Sequence, residues 1–259
     1  MVSPEHLDLR TIAPQPWKNG AGLTREIAVG RALGDSADLT ERADLTGRTE
    51  HADHFDHSDR ADRTDRTDRI ARTGCIDRTR PTDRNGAVDL AARGAHFDWR
   101  FSIAEVAHDA PFSTFAHTDR CIVLLGGAGM RLRSREPGRL DHALTTPFLP
   151  FCFAGDLTID ATLLDGPCSD FNVMTRRGQL HSEVEVLRQT GEVADADVTL
   201  LWCCTGVWQV AGDPLQAMQG RLWREPRGTT LRARLFESHD GHDESAVLLA
   251  IRLCHDRPS

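Results

Sequence analysis

The sequence predicts an all-β fold, a sandwich or barrel built in two halves. Short apolar or alternating runs recur along most of the 259 residues, separated by Gly- and Pro-containing turns at regular spacing. No segment carries a convincing long amphipathic-helix pattern. The length accommodates two β halves joined near residues 178–184.

Leu7 to Ile12 reads as a short opening strand, ended by Pro14 and Pro16. The stretch Pro16 to Ile27 follows and is the densest in chemistry. Within twelve residues it holds Trp17, Lys18, Asn19, Thr24, Arg25 and Glu26, with Gly20 and Gly22 allowing a tight turn or close approach to a ligand. Leu23, Arg25, Ile27 and Val29 alternate as a strand does. Lys18 is the only lysine in the chain, all other fixed cations being arginine. A lone lysine marks a place where a compact ammonium with three rotatable donors is wanted; the plain alternative is a solvated turn residue. For Arg25 and Glu26 the alternative is a structural ion pair or surface charge.

Residues 31–95 change character. Asp-Arg-Ala, Asp-Arg-Thr and related triplets recur from Asp59, a period that suits neither helix nor strand. Mixed charge and few apolar residues cannot offset the entropy of ordering, so a long disordered insertion is expected there. His51, His54 and His57 fall within it at a spacing of three, which the triplet composition explains without a metal.

Ordered strands resume near His96. Trp99, Phe101 and Ile103 share one face of a strand and Arg100, Ser102 and Ala104 the other. Asp109-Ala110-Pro111 turns, Cys121 to Leu125 is a continuous apolar strand, and Met130 to Leu132, Phe151 to Phe153, Leu157 to Leu163 and Phe171 to Met174 add further short ones. Beyond Glu183 the strands expected are Val184–Leu187, Val198–Cys204, Gly206–Ala211, Thr229–Phe236 and Ala246–Leu253, with turns at 212–214 and 225–228. The domains expected are 1–30 plus 96–182, an N-terminal barrel with a ligand pocket; 31–95, the insertion; and 183–259, a second β half.

Net charge is −8, which speaks against a nucleic-acid footprint. Mean hydropathy is −0.41, and no apolar run approaches the ~18 residues of a membrane span. Met1 to His6 lacks a basic region followed by an apolar core, so no signal peptide is expected and the expected location is the cytoplasm. Seven cysteines, most inside apolar runs and without a Cys-x-x-Cys, favour buried reduced thiols over a disulfide or zinc framework.

Five blocks resemble the HutD/Ves family: Pro-Trp-Lys-Asn-Gly-x-Gly-x-Thr-Arg-Glu-Ile at 16–27, Phe-x-Trp-Arg-x-Ser-x-Ala at 97–104, Pro-Phe-Ser-x-Phe at 111–115, Asp-Arg at 119–120 and Asp-Phe-Asn-Val-Met-x-Arg-Arg-Gly at 170–178. The resemblance covers about 8–31 and 96–180. It implies a two-cupin (bicupin) fold of jelly-roll β-barrels and a link to bacterial histidine utilisation, as a brake or sensor that binds a pathway metabolite without established catalysis. The chain departs from the pattern in its long insertion, in Ala21 at a usual glycine, and in Ala116-His117-Thr118 for a more usual Pro-Gly-Val.

Aligned on Gly127, the metal-binding pattern of cupins falls on Thr114, Ala116 and Arg120, none a good ligand. No metal and no cofactor are therefore expected. A cationic pocket calls for an anion. Arg100, Arg120 and Lys18 would hold a carboxylate, Ser102 and Asn172 would add neutral hydrogen bonds, and Trp17, Phe112 and Met174 would wall a small planar group. Asn172 is also readable as a buried amide tying strands together. The resemblance implies urocanate, formate or a formylglutamate-like ligand. The expected function is a non-enzymatic binding protein that regulates histidine utilisation. The runner-up is a metal-free cupin enzyme, an isomerase or lyase on a similar carboxylate, with Lys18 and Glu26 as acid and base. Partners beyond the metabolite extend at most to a homodimer, with no nucleic acid and no membrane.

Overall fold

The computed structural model describes residues 3–32, 97–236 and 245–256. The expected insertion at 31–95 lies, beyond Arg31 and Ala32, outside the described residues, and so do the three spaced histidines.

Nineteen strands and one short 3₁₀ turn make up the regular structure of the described residues. The first eleven strands are β1 (Glu5–Asp8), β2 (Gln15–Pro16), β3 (Gly22–Gly30), β4 (Trp99–Val106), β5 (Ala110–Pro111), β6 (Thr118–Gly126), β7 (Met130–Ser134), β8 (Asp141–Leu144), β9 (Pro150–Ala154), β10 (Ile159–Leu163) and β11 (Cys168–Arg176). The remainder are β12 (Leu180–Leu187), β13 (Gly191–Val193), β14 (Val198–Thr205), β15 (Val207–Val210), β16 (Asp213–Gln216), β17 (Gln219–Trp223), β18 (Leu231–Leu235) and β19 (Val247–His255).

They form four sheets. Sheet order β2-β3-β4-β11-β6-β9 faces β5-β10-β7-β8 in the first half, and β1-β17-β14-β19-β12 faces β13-β18-β15-β16 in the second. All pairings are antiparallel. The fold is the expected all-β pair of jelly-roll sandwiches, with sheets that stay open rather than closing into barrels.

Alternation assigns the faces. Phe101, Ile103, Val123, Phe171 and Val173 of the six-stranded sheet pack against Leu200, Trp202, Leu249 and Ile251 of the five-stranded one, so one apolar layer joins the halves. The opposite face of the six-stranded sheet packs Ile122, Leu124 and Phe153 against Met130, Leu132 and Ile159. In the second half Leu201, Trp208, Trp223 and Leu248 fill the corresponding layer. The central strands are thus covered on both sides, and β4 reads as alternating while burying both faces.

Several sequence expectations change. Asp109-Ala110-Pro111, expected as a turn, carries the short strand β5, paired with β10. Leu7 to Ile12 is not one strand: β1 ends at Asp8 and a 3₁₀ turn runs Leu9–Thr11, because the Asp8 carboxylate accepts from the Arg10 backbone N–H at 3.0 Å and turns the chain. The turn expected at 212–214 lies at Ala211 and Gly212, both with positive φ, and Pro214 belongs to β16. A proline is tolerated there because β16 is an edge strand. Finally, Glu5–Asp8, expected with the first half, pairs with β17 of the second, Leu7 opposite Gly220.

Candidate functional site: a buried arginine cluster in the first sandwich

Cross-strand register lays the site out in rows on the inner face of the six-stranded sheet. Arg100, Met174 and Arg120 stand side by side on β4, β11 and β6, with Phe153 of β9 next to Arg120. The next row is Glu26, Ser102, Asn172 and Ile122; the third is Thr24, Ala104, Asp170 and Leu124. A bulge between Glu26 and Ala28 lets β3 keep Glu26 on this face while Ile27 and Ala28 join the core between the halves.

Arg120 is buried. Its Nε donates to Asn172 Oδ1 at 2.9 Å, and its Nη2 donates to the same oxygen. Asn172 Nδ2 donates in turn to Asp170 Oδ1 at 2.5 Å. The amide therefore relays between a cation and a carboxyl one row further along. Asp170 is 0 % exposed, and its Oδ2 has no hydrogen-bond partner among the described residues. Burial pushes the Asp170 carboxyl up to about 6, with Arg120 and the Asn172 hydrogen bond pulling the other way. Burial likewise draws Arg120 down to about 10, opposed by Asp170 and assisted by repulsion from Arg100. Cation and carboxyl act on each other through the amide of Asn172 that lies between them.

The Arg120 guanidinium lies 4.6 Å from the Phe112 ring centroid and 5.5 Å from that of Phe153. Phe112 meets Trp17 edge-on, with centroids 6.4 Å apart and planes at 88°. Trp17 Nε1 donates to Thr24 Oγ1 at 2.7 Å, which fixes the indole over the β2–β3 turn. Gly22 is required there, because a Cβ would stand 2.4 Å from the Glu105 carbonyl and 3.3 Å from the indole. At the other edge His142 stacks on Phe151 with centroids 3.6 Å apart, and burial lowers the His142 pKa. Arg100 Nε donates to Glu26 at 2.8 Å, and these side chains are 15 % and 38 % exposed, so the cluster opens toward solvent along Glu26.

The sheet brings together Thr24, Glu26, Arg100, Ser102, Arg120, Asn172 and Met174, with Phe112 and Trp17 packed at its edge. It does not bring in Arg25, which stands opposite Ile103, whose face packs into the core between the halves, and pairs there with Glu105. Asn19 is exposed, and its Oδ1 accepts from Ala21 N–H at 3.1 Å to close the turn. Lys18 is exposed beside it, with no hydrogen bond or ion pair among the described residues. The Glu26 carboxylate is held by Arg100 and is no free base. Asp119, next to Arg120 in sequence, pairs with Arg177 at 2.7 Å on the outside; the acidic neighbour of Arg120 is Asp170.

Asp170 is the residue that sequence reasoning missed. Its signal was the alternation Asp170, Asn172, Met174, which puts all three on one face. Thr114, Ala116 and His117, at or beside the cupin ligand positions, are exposed in the loop before β6. His117 has φ +56°, the left-handed geometry that favours the glycine usual there. No group of three or more His, Cys, Asp or Glu side chains converges as a metal set among the described residues. No helix among them is long and apolar enough to cross a membrane.

The chain is similar over 98 % of its length, and 100 % of theirs, to two solved structures. One is HutD from Pseudomonas fluorescens SBW25, at 20 % identity and a TM-score of 0.65; the other is a conserved protein of unknown function from Pseudomonas aeruginosa PAO1, at 25 % and 0.62. The family model described as HutD matches residues 82–239, more than half of the sequence. With the fold matched end to end and the family pattern running through β4, β6 and β11, the chain belongs to the HutD family.

Proposed function

We propose that the Arg120 cluster binds a small carboxylate metabolite of histidine breakdown, of the urocanate, formate or formylglutamate class, without turning it over, and that the chain is a cytoplasmic brake or sensor of histidine utilisation. The observation that carries the reading is Arg120 itself: a buried guanidinium with two donors on a neutral amide and Arg100 close by. Such a group is incompletely neutralised and is suited to a second, external carboxylate. Membership of the HutD family supports the pathway, and the P. fluorescens relative was solved in a formate condition. Met174, Phe112 and Phe153 give the apolar surroundings that strengthen a charged contact. Lys18 follows Trp17, which edges Phe112 under the guanidinium; it adds a mobile ammonium at the rim.

Calorimetry with urocanate, formate and formylglutamate tests the proposal. Hydrogen bonds to charged groups contribute about 1.5–3 kcal/mol, so Arg120→Leu is expected to weaken binding at least ten- to a hundred-fold. Lys18→Met is expected to weaken it by a comparable factor, and Lys18→Arg to cost binding too, since a wide planar fork replaces a compact ammonium. A parent protein that binds none of the three ligands, in calorimetry and in a thermal-shift screen, would sink the reading. Full affinity in both Lys18 variants would return that residue to a solvated turn.

A further inference from the structure

Cys121 and Cys152 stand directly opposite one another in the antiparallel β6–β9 pair. One step beyond that register, Gly155 N–H donates to the Thr118 carbonyl at 2.8 Å, which marks the Thr118–Gly155 position as hydrogen-bonded. Positions alternate along an antiparallel ladder, so Arg120–Phe153 is hydrogen-bonded and Cys121–Cys152 is not. At a non-hydrogen-bonded position the Cα atoms lie about 4.5 Å apart and the side chains are closest. That falls inside the roughly 4.4–6.8 Å a disulfide spans. Both residues are free thiols on the face toward the second half. They differ in access: Cys121 is 1 % exposed, and Cys152 is only partly buried at the edge strand of its sheet.

The thiols also interact. A hydrogen bond to Cys152, reinforced by burial, holds Cys121 protonated well above the usual range, while the same bond draws the Cys152 thiol down. Roles follow from the difference in access: Cys152, partly exposed on the edge strand, is the nucleophile and Cys121 the resolving thiol behind it. None of the other described cysteines faces a cysteine in register. Cys203 stands opposite Gln219 and Leu248, Cys168 opposite Val106, and Cys254 opposite His181.

We propose that Cys121 and Cys152 are a peroxide-sensitive modification site that closes to a reversible cross-strand disulfide. The Cys152 thiolate attacks one oxygen of hydrogen peroxide; the O–O bond breaks, and the departing hydroxide takes a proton to become water. The Cys121 sulfur then displaces hydroxide from the Cys152 sulfenic acid. The S–S bond forms, the S–O bond breaks, and the Cys121 proton leaves with the hydroxide as a second water. Two thiols are oxidised by two electrons in all, and one peroxide is reduced to two waters. A cellular dithiol reverses the bond by exchange. The bridge clamps β6 to β9 one residue from Arg120 and Phe153, on the opposite face of the sheet.

The test treats the intact chain with hydrogen peroxide, alkylates the remaining thiols and maps peptides by mass spectrometry without reductant. The expected result is a Cys121–Cys152 linked peptide, lost on adding dithiothreitol, retained in a Cys75→Ser variant and formed at least tenfold faster than any other cysteine is modified. In Cys121→Ser, Cys152 is expected to progress to sulfinic acid; in Cys152→Ser, Cys121 is expected to stay reduced. Recovery of both residues as free thiols while other cysteines or methionines are oxidised would overturn the proposal. So would sulfinic acid at Cys152 of the parent without a link, or a link from Cys152 to Cys75 in place of Cys121.

Discussion

Each half of the described structure buries one arginine between its two sheets, and the two are treated in opposite ways. In the second half Arg221 shares the inner face with Trp223 and reaches toward Asp213, 3.7 Å away, whose side chain is 66 % exposed. Its guanidinium stays buried, with Nη1 lacking a hydrogen-bond partner among the described residues, amid a layer of Trp208, Trp223, Leu215 and Leu248. In the first half Arg120 is kept inside, by an amide that is itself buried and hands on to a fully buried carboxyl. The same sandwich thus leaves one buried arginine with a long contact to an exposed carboxylate and gives the other a buried hydrogen-bonded relay. Buried ionic groups cost several kcal/mol of desolvation, which good packing alone would avoid.

The largest effect is expected where the second half is most closely packed. Trp208→Ala removes a fully buried indole and is expected to cost about 3–5 kcal/mol, seen as an earlier denaturant midpoint for the whole chain, because the layer joining the halves couples them. In the first half Asn172→Ala leaves Arg120 without its acceptor. Breaking a buried charged network from one side costs about 3–5 kcal/mol, and the double variant Asn172→Leu with Arg120→Leu is expected to recover most of it while abolishing binding. If the single Asn172 variant unfolds no earlier than the parent, the relay through Asn172 holds nothing in place.

The next effect depends on pH. The Asp170 carboxyl is raised to about 6 from an unfolded value of 3.8. The folded state therefore holds the extra proton between these values, and stability falls as pH rises from about 4 to 6, then levels off. At most about 3 kcal/mol is involved, from about 1.36 kcal/mol per pKa unit. Asp170→Asn is expected to exceed the parent in stability at pH 7, with the gap closing toward pH 4; a gap independent of pH would show that Asp170 titrates normally. The smallest change is expected for Arg221→Met. It replaces a buried, poorly partnered guanidinium by an apolar side chain, a change that is often neutral or stabilising, and should stay within about 1 kcal/mol of the parent in urea unfolding. A loss as large as that of Asn172→Ala would erase the contrast between the two arginines.

The first half's side of this contrast was largely legible in the sequence, for reasons that are local, whereas Arg221 and the strand that carries it were not singled out. The alternation through Trp99 to Ala104 put Arg100 and Ser102 on one face before any strand was paired, and the HutD-like blocks pointed to Arg120 and Asn172. What stayed hidden depends on pairing across the chain. Nothing near Arg25 in sequence tells that Glu105 lies within reach on the far side of the sheet, and nothing near Asp119 tells that Arg177 holds it. Asp170 was visible as part of a block, but its burial requires Ala104 and Leu124 to flank it from two other strands. Lys18 drew attention by rarity, a property of composition, and the turn that carries it is exposed.

The pairing of β1 with β17 has a consequence in time. Leu7 finds its partner in Gly220, so this strand is completed only after about two hundred further residues have been made. At about 5–20 residues per second, a ribosome takes on the order of ten seconds or more to deliver that partner, while the strands of the first sandwich already have theirs. During that interval Glu5–Asp8 is an unmatched edge held near a folding domain, and the seam is sewn only when the second half arrives. A chain halted after β11 would carry every residue of the Arg120 cluster and still lack the stitch between β1 and β17.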